Sequence, residues 1–144
     1  MTSRLADADP LGRIIPYLGG HPAVTAELGG PERVGPDNKP PYPRLLVSDA
    51  PGGSENLQAG LLGVPVRLEA LGPLDGTLGK ARLRRILYVA LGVLAELPAL
   101  PVGPDDVVIT DVGSSVAGGY VPLADGRPRY VATVMVAAHA PYTP

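Results

Sequence analysis

The expected fold of this chain depends first on the segment Tyr130-Val131-Ala132-Thr133-Val134-Met135-Val136-Ala137. Valine and other strand-favouring residues dominate it, which indicates a β-strand. Side chains of a strand point alternately to the two faces of a sheet, and here both alternating sets are largely apolar. Such a strand is either central in its sheet or covered by another subunit.

Two further strands are predicted upstream of this segment. Arg44–Asp49 is a short β run that ends in the turn residues Pro51-Gly52-Gly53. Val64–Ala70 alternates between apolar residues on one face and charged residues on the other. Between these strands, Ser54–Gly63 is predicted to be a loop whose leucines need cover from the core or from a partner.

The C-terminal third contains the remaining strand signals. Asp106–Val112 and Tyr120–Leu123 are predicted strands, and the second turns through Ala124-Asp125-Gly126 into Arg129–Ala138. An Asp-Gly pair between two β runs is typical of a hairpin. We therefore expect the chain to end in antiparallel strands.

Two regions have the spacing of helices. Leu78–Leu97 carries a leucine-rich stripe, with Thr77 or Asp75 as its cap and Pro98 as its stop. Leu5–Leu28 indicates one or two short helices, since apolar residues fall on one face and glycines and prolines divide the segment.

The order of these elements predicts an α+β domain, in which a long α-helix packs on one face of an antiparallel or mixed β-sheet. We expect a single domain over residues 1–144. Within it, residues 1–30 form a short N-terminal helical segment, residues 31–43 a proline-rich connector, and residues 44–140 the sheet with the long helix.

Composition excludes several classes of function. The 144 residues include no cysteine, so thiol catalysis, disulfides and cysteine-based zinc sites are impossible. A net charge of −2 provides no electrostatic basis for gripping nucleic acid. The apolar runs are too short for a membrane span, and Asp7 and Asp9 stand where a signal peptide needs an apolar core. We therefore expect neither membrane association nor specific nucleic-acid binding.

One set of residues could form a Ser–His–Asp site: Ser114 or Ser115 with Asp111 and His139. The Gly-x-Ser-x-Gly elbow of such hydrolases lies between a strand and a helix. Here Gly113–Ala117 lies between two strand signals instead and is predicted to be a turn.

Other candidate sites also have simpler explanations. Gly76–Lys80 resembles a phosphate-binding loop only faintly, because Leu74 and Ala81 occupy two of its required positions. The acidic pairs predict helix caps and turns, and the helix arginines predict a solvated face. His21 is predicted to cap or flank a helix, and His139 to face solvent or a neighbouring chain. The residues weighed in this way are Asp7, Asp9, His21, Arg82, Arg84, Arg85, Asp105, Asp106 and His139. The sequence thus predicts no enzyme, no metal and no cofactor, but a protein that acts by contact.

Several stretches resemble a known family when they are taken in order. The front half contains His21-Pro22-Ala23-Val24, then residues 30–34, then residues 41–47 leading into Pro51-Gly52-Gly53. The back half contains Arg82–Leu97, then Val107–Asp111, then Asp125-Gly126-Arg127-Pro128-Arg129-Tyr130-Val131-Ala132-Thr133. In this order the sequence resembles the small tail terminator, or tail completion, proteins of long-tailed (siphovirus-type) bacteriophages.

The resemblance implies a structural protein of the virion. Such a protein forms a homo-oligomeric ring, expected to be a hexamer, on the end of the tail tube. The ring stops polymerisation of the tube and offers a surface for head-to-tail joining. The implied partners are further copies of the chain, the tail tube protein and a head–tail connector (neck) protein, with DNA passing through the ring. The implied location is the head-proximal end of the tail, and the host cytoplasm during assembly.

The interface candidates come from the segments that are expected to need cover. They are the loop of residues 54–62 and the strand of residues 130–136, together with two arginines that either pair with a neighbour or form a plain hairpin rim. These residues are Leu57, Leu61, Leu62, Arg127, Arg129, Tyr130, Val131 and Met135. The alternative functions are a head-side connector or adaptor protein of the phage neck, a small hydrolase using Ser115, and an unrelated domain sharing only turn patterns.

Overall fold

The apolar segment lies in strand β6 (Arg129–His139), and both edges of this strand are paired. In the computed structural model, which describes residues 5–141 but not the side chains at positions 114 and 115, β6 runs antiparallel to two neighbours. These are β4 (Leu61–Leu71) and β5 (Val108–Tyr120). The strand is therefore central in its sheet, which is one of the two alternatives that its apolar faces predicted.

The rest of the sheet lies beyond β4. Strand β2 (Arg44–Asp49) pairs antiparallel with β4, and the short β1 (Val34–Gly35) pairs parallel with β2. A further short strand, β3 (Ser54–Asn56), pairs with the start of β4. The described residues form a six-stranded mixed sheet in the order β1-β2-β4-β6-β5, with β3 beside β4. The predicted class, α+β with a mixed sheet, is confirmed.

Two short helices precede the sheet, as predicted. Helix α1 (Leu11–Gly20) follows Asp9, whose Oδ1 accepts a hydrogen bond from the Leu11 amide at 3.1 Å. Helix α2 (Pro22–Leu28) is capped by His21, whose Nδ1 accepts from the Ala23 amide, and it ends at Gly29 in the left-handed region. This confirms the prediction that His21 caps or flanks a helix.

The long helix α3 (Lys80–Ala95) is shorter at both ends than predicted. The Asp75 carboxylate accepts hydrogen bonds from the Thr77 amide and hydroxyl, so it closes a turn before the helix and does not cap it. Gly79 is the N-cap. At the other end, a single 3₁₀ turn at Leu97–Ala99 replaces the last helical residues, since Pro98 has no amide to donate.

Alternation divides the sheet into two faces. The core face carries the buried residues Leu45, Val47, Val66, Leu68, Ala70, Tyr130, Ala132, Val134, Val136 and Ala138. They belong to one cluster with buried side chains of all three helices, and α3 contacts β4, β5 and β6. The N-terminal helices therefore share one core with the sheet.

Two predicted boundaries are wrong. Ser54–Gly63 is not simply a loop, because β3 and the start of β4 form a hairpin that turns at Gly60, where φ is +68°. Asp106–Val112 and Tyr120–Leu123 are not separate strands, because β5 runs without a break from Val108 to Tyr120. Glycines that predicted a turn instead accompany irregularities in the β5–β6 register.

Gly118 shows why β5 requires a glycine inside the strand. Its amide donates to the hydroxyl of Tyr88 on α3 at 3.1 Å. A Cβ at this position would lie 2.8 Å from that hydroxyl oxygen. The close approach of helix and strand therefore leaves no room for a side chain.

One acidic residue links α2 to α3. The Glu27 carboxylate accepts from Arg82 Nη1 and, at 3.0 Å, from Arg85 Nε, while the Glu27 carbonyl oxygen accepts from Arg82 Nη2 at 2.7 Å. These two arginines were predicted to lie on a solvated face; they remain partly exposed but are paired. Burial acts to raise the pKa of Glu27, but the hydrogen bonds and charges of Arg82 and Arg85 outweigh it, so this pKa is lowered.

Replacing this acid should weaken the contact between the two helices. We expect Glu27→Gln to lower the free energy of unfolding at pH 7 by about 1 kcal/mol. A lowered pKa stabilises the fold only while the carboxylate is charged. The difference from wild type should therefore shrink as pH falls through the folded-state pKa, below the ordinary value of about 4.3. Urea unfolding at several pH values measures this, with the exposed Glu55→Gln as control. Equal stability of Glu27→Gln and wild type at pH 7 would refute the link.

Candidate interaction surface

The sheet face opposite the core is here called the outer face. Its side chains are exposed or half-buried along residues 61–67 of β4 and 131–139 of β6, whereas Glu69 and Leu71 at the far end of β4 are buried. In one cross-strand row, Ser48, Arg67, Thr133 and Val116 lie side by side. Arg67 is exposed, and Val116 is 60% exposed although it is a large apolar residue. Val116 is the one large apolar side chain in this row, next to three polar residues.

Apolar residues continue along the outer face toward the ends of β4 and β6. Met135 is 36% exposed and lies opposite Pro65 on one side and Gly113 on the other. Farther along, Leu61 is 49% exposed and lies opposite His139. The outer face therefore presents a strip of partly exposed apolar side chains, formed by Val116, Met135 and Leu61 and here called the apolar strip. Few charged side chains lie within it.

The hairpin of β3 and β4 forms a second exposed feature beside this strip. Residues 51–59 are all exposed, and Leu57 at the turn is 64% exposed. A leucine at the tip of a hairpin does not pack in the core of its own chain, so it contributes little to the stability of a single copy. This surface supports contact with another molecule better than it supports the stability of a single copy.

The interface candidates from the sequence fall into different environments. Leu57, Leu61 and Met135 are exposed, and Val131 is half-buried on the outer face. Leu62 is half-buried on the core side, where it lies opposite Ala138.

Tyr130 corrects the prediction, because it is a core residue. It is 7% exposed, and its ring packs edge-on against Tyr88 with the ring centroids 6.5 Å apart. Tyr130 therefore belongs to the contact between β6 and α3 and contributes little to a surface.

Arg127 and Arg129 both find partners within their own chain. Arg127 Nη1 donates to the Gly72 carbonyl at 3.1 Å, and its guanidinium lies 4.0 Å from the centre of the Tyr42 ring. Arg129 Nη1 donates to Glu69 Oε1 at 2.7 Å, and its Nε donates to the Val121 carbonyl at 2.8 Å. These contacts fix the β5–β6 turn to the rest of the domain, so neither arginine is available as a simple rim charge.

The residues considered for a Ser–His–Asp site cannot be assembled into one from the described side chains. His139 Nδ1 lies 2.8 Å from the Ala140 carbonyl oxygen, so a backbone group occupies one ring nitrogen. The structure does not describe the side chains of Ser114 and Ser115. Within residues 5–141, no three acidic or histidine side chains are grouped so that they could hold a metal ion. In the same range, no helix is both long and apolar enough to cross a membrane.

The phosphate-loop and acidic-pair segments also have structural roles where their contacts are described. Lys80 at the start of α3 places its Nζ 5.7 Å from the centre of the Tyr120 ring. Asp106 Oδ2 accepts from the Gly103 amide at 3.0 Å and closes a turn. The Asp106 contact agrees with the predicted turn, whereas the Lys80 contact joins the start of α3 to β5.

No protein-family model matches this sequence, and no curated protein matches it either. The surfaces described above and the resemblance in sequence are therefore the grounds on which a function can be proposed.

Sequence patterns alone did not identify two residues of the outer face. The sequence predicts a turn over Gly113–Ala117, which includes Val116, because this segment lies between two strand signals. Arg67 was placed on the polar face of its strand, but its apolar neighbours come from β5 and β6, which are distant in sequence. A continuous-strand interpretation of residues 108–120 would have placed Val116 on the sheet.

The Glu69–Arg129 ion pair should stabilise this side of the sheet. Glu69 and Arg129 side chains are 11% and 20% exposed, so removing the acid leaves a largely buried cation. We expect Glu69→Ala to lower the free energy of unfolding by about 2 kcal/mol. The double variant Glu69→Leu/Arg129→Met should lose less, because it leaves no unpaired charge. Urea unfolding compares the three proteins, and a double variant less stable than Glu69→Ala would contradict this account.

Proposed function

We propose that this protein is a phage tail terminator: a structural protein whose copies form a ring, expected to be hexameric, that caps the tail tube. In this role it stops polymerisation of the tube and provides the surface to which the head or neck joins. The sequence resemblance suggests the family. The observation that carries the proposal is the apolar strip on the outer face of the sheet, whose central strand β6 is paired along both edges.

The argument from this face is energetic. A Val, Leu or Met side chain contributes about 1.5–3 kcal/mol when it passes from full exposure to full burial, so a partly exposed one contributes a fraction of this when a neighbour covers it. Val116, Met135 and Leu61 are all partly exposed on one sheet face, so one flat contact can cover them together. In the proposed architecture, α3 covers the core face of the sheet, which leaves the outer face for partners.

A ring needs an interface that joins unlike surfaces of identical copies. Such a head-to-tail contact closes when its rotation completes a circle, whereas a two-fold contact stops at a dimer. The outer face and the β3–β4 hairpin are different surfaces of one chain, as this arrangement requires. The proposed role requires contact, and it requires neither a cofactor nor catalysis.

Self-association and capping of tubes test the proposal directly. We expect light scattering to show assembly that increases with protein concentration and becomes stronger when tail tubes of the same virus are added. Negative-stain images should show rings on one end of tubes of defined length. Met135→Asp should weaken both effects, because it places a charge in the apolar strip.

The control is Leu74→Asp, which places the same charge on another exposed leucine, before α3. It should assemble like the wild type. Particles seated on portal complexes and not on tubes would favour the head-side connector instead. If a deletion mutant makes tails of normal length, and these tails join heads, the terminator proposal is wrong.

A further inference from the structure

The two faces of the sheet carry opposite exposed charges along residues 62–67 of β4. A cleft of about 550 Å³ opens beneath the β3–β4 hairpin, and its lining includes Asp49, Glu55, Leu62 and Val64. Asp49 lies opposite Val66 and Glu55 opposite Leu62, which places both carboxylates on the core side of the sheet. The cleft therefore combines two exposed acids with apolar walls.

Arg67 is the matching cation on the other side of the same strand. It is exposed on the outer face, directly between Ser48 and Thr133. Met135 lies diagonally across on β6, and Val116 lies beyond Thr133 on β5. Among the described residues, Arg67, Asp49 and Glu55 form no ion pair. An exposed cation with two apolar side chains nearby on one face thus corresponds to acids with apolar walls on the other.

These groups cannot meet within one molecule, because their side chains point to opposite faces of the sheet. They can meet between two copies, if the outer face of one copy lies against the hairpin side of the next. A contact of this kind joins unlike surfaces and is therefore head-to-tail.

We propose that Arg67 of each copy enters the acidic cleft lined by Asp49 and Glu55 of the neighbouring copy. This inference rests on the proposed function, since it specifies how copies meet in the ring. Leu57 at the hairpin tip then lies near the apolar strip of the neighbour, so that the charged pair sets the register and the apolar side chains supply most of the contact.

Charge reversal in two separate proteins gives a sharp test. Arg67→Glu alone sets the introduced glutamate against the neighbour's Glu55, and Glu55→Arg alone sets the introduced arginine against the neighbour's Arg67. We expect each variant alone to self-associate at least about fivefold more weakly than wild type. An equimolar mixture should recover, because alternating copies pair Arg67 with Glu55 at one contact and the two introduced charges at the next.

Sedimentation measures the self-association constants, and native mass spectrometry shows whether the two variants alternate. Lys39→Glu and Asp105→Arg are matched controls, since they make the same changes of charge at exposed residues elsewhere. Leu57→Ser should also weaken association, by about tenfold or more, whereas Leu74→Ser should not. Thermal unfolding checks that every variant is folded.

The outcomes separate this inference from the proposed function. If the single variants assemble as well as wild type, or if mixing them restores nothing, the cleft contact is wrong while the ring remains possible. If the wild type fails to assemble both alone and on tail tubes, the ring itself is refuted, and the cleft contact with it.

Discussion

The pairing of β6 with β4 is the constraint on which the rest of the structure depends. The two strands pair over their whole length, from Leu61 opposite His139 to Leu71 opposite Arg129. This register places Val66, Leu68 and Ala70 on the same face as Val134, Ala132 and Tyr130, where the helices share their core. A slip of one residue would exchange the two faces. It would expose that core and bury Arg67, so the identity of the outer face follows from the register.

The sequence predicted those elements whose signals are local. Strand β2 has the predicted bounds, Arg44–Asp49, because an apolar run ends in turn residues. Helices α1 and α2 follow from apolar spacing and from the caps at Asp9 and His21. Strand β5 was divided in two because glycine indicates a turn as readily as a bulge. Only the partner strand settles which one occurs, and β6 supplies an unbroken edge along which β5 continues.

The surface was predicted less completely than the fold, for two physical reasons. Tyr130 and Val131 were both predicted to be interface residues, although alternation sends their side chains to opposite faces of the sheet. Deciding which of the two faces is covered requires knowing where the helices pack. Arg127 and Arg129 were expected either to pair with a neighbour or to form a plain hairpin rim, but their partners Gly72 and Glu69 lie 55 and 60 residues away in sequence. A one-dimensional pattern contains no information on such pairings. The exposed residues Leu57, Leu61 and Met135 were found because large apolar side chains in a hairpin or on a second sheet face have few other uses.

A protein in the proposed role must also avoid assembling too readily before a tube is present. The outer face suits this requirement, because its apolar strip is interrupted by Arg67 and bordered by the half-buried polar residues Ser48 and Thr133. A single charged contact in water contributes little, and a partly exposed apolar strip contributes less than a buried core. Copies held on the end of a tube would not have to find one another by diffusion, so the same weak contact would close the ring there. On this view the modest hydrophobicity of the outer face favours assembly on the tube over assembly in solution.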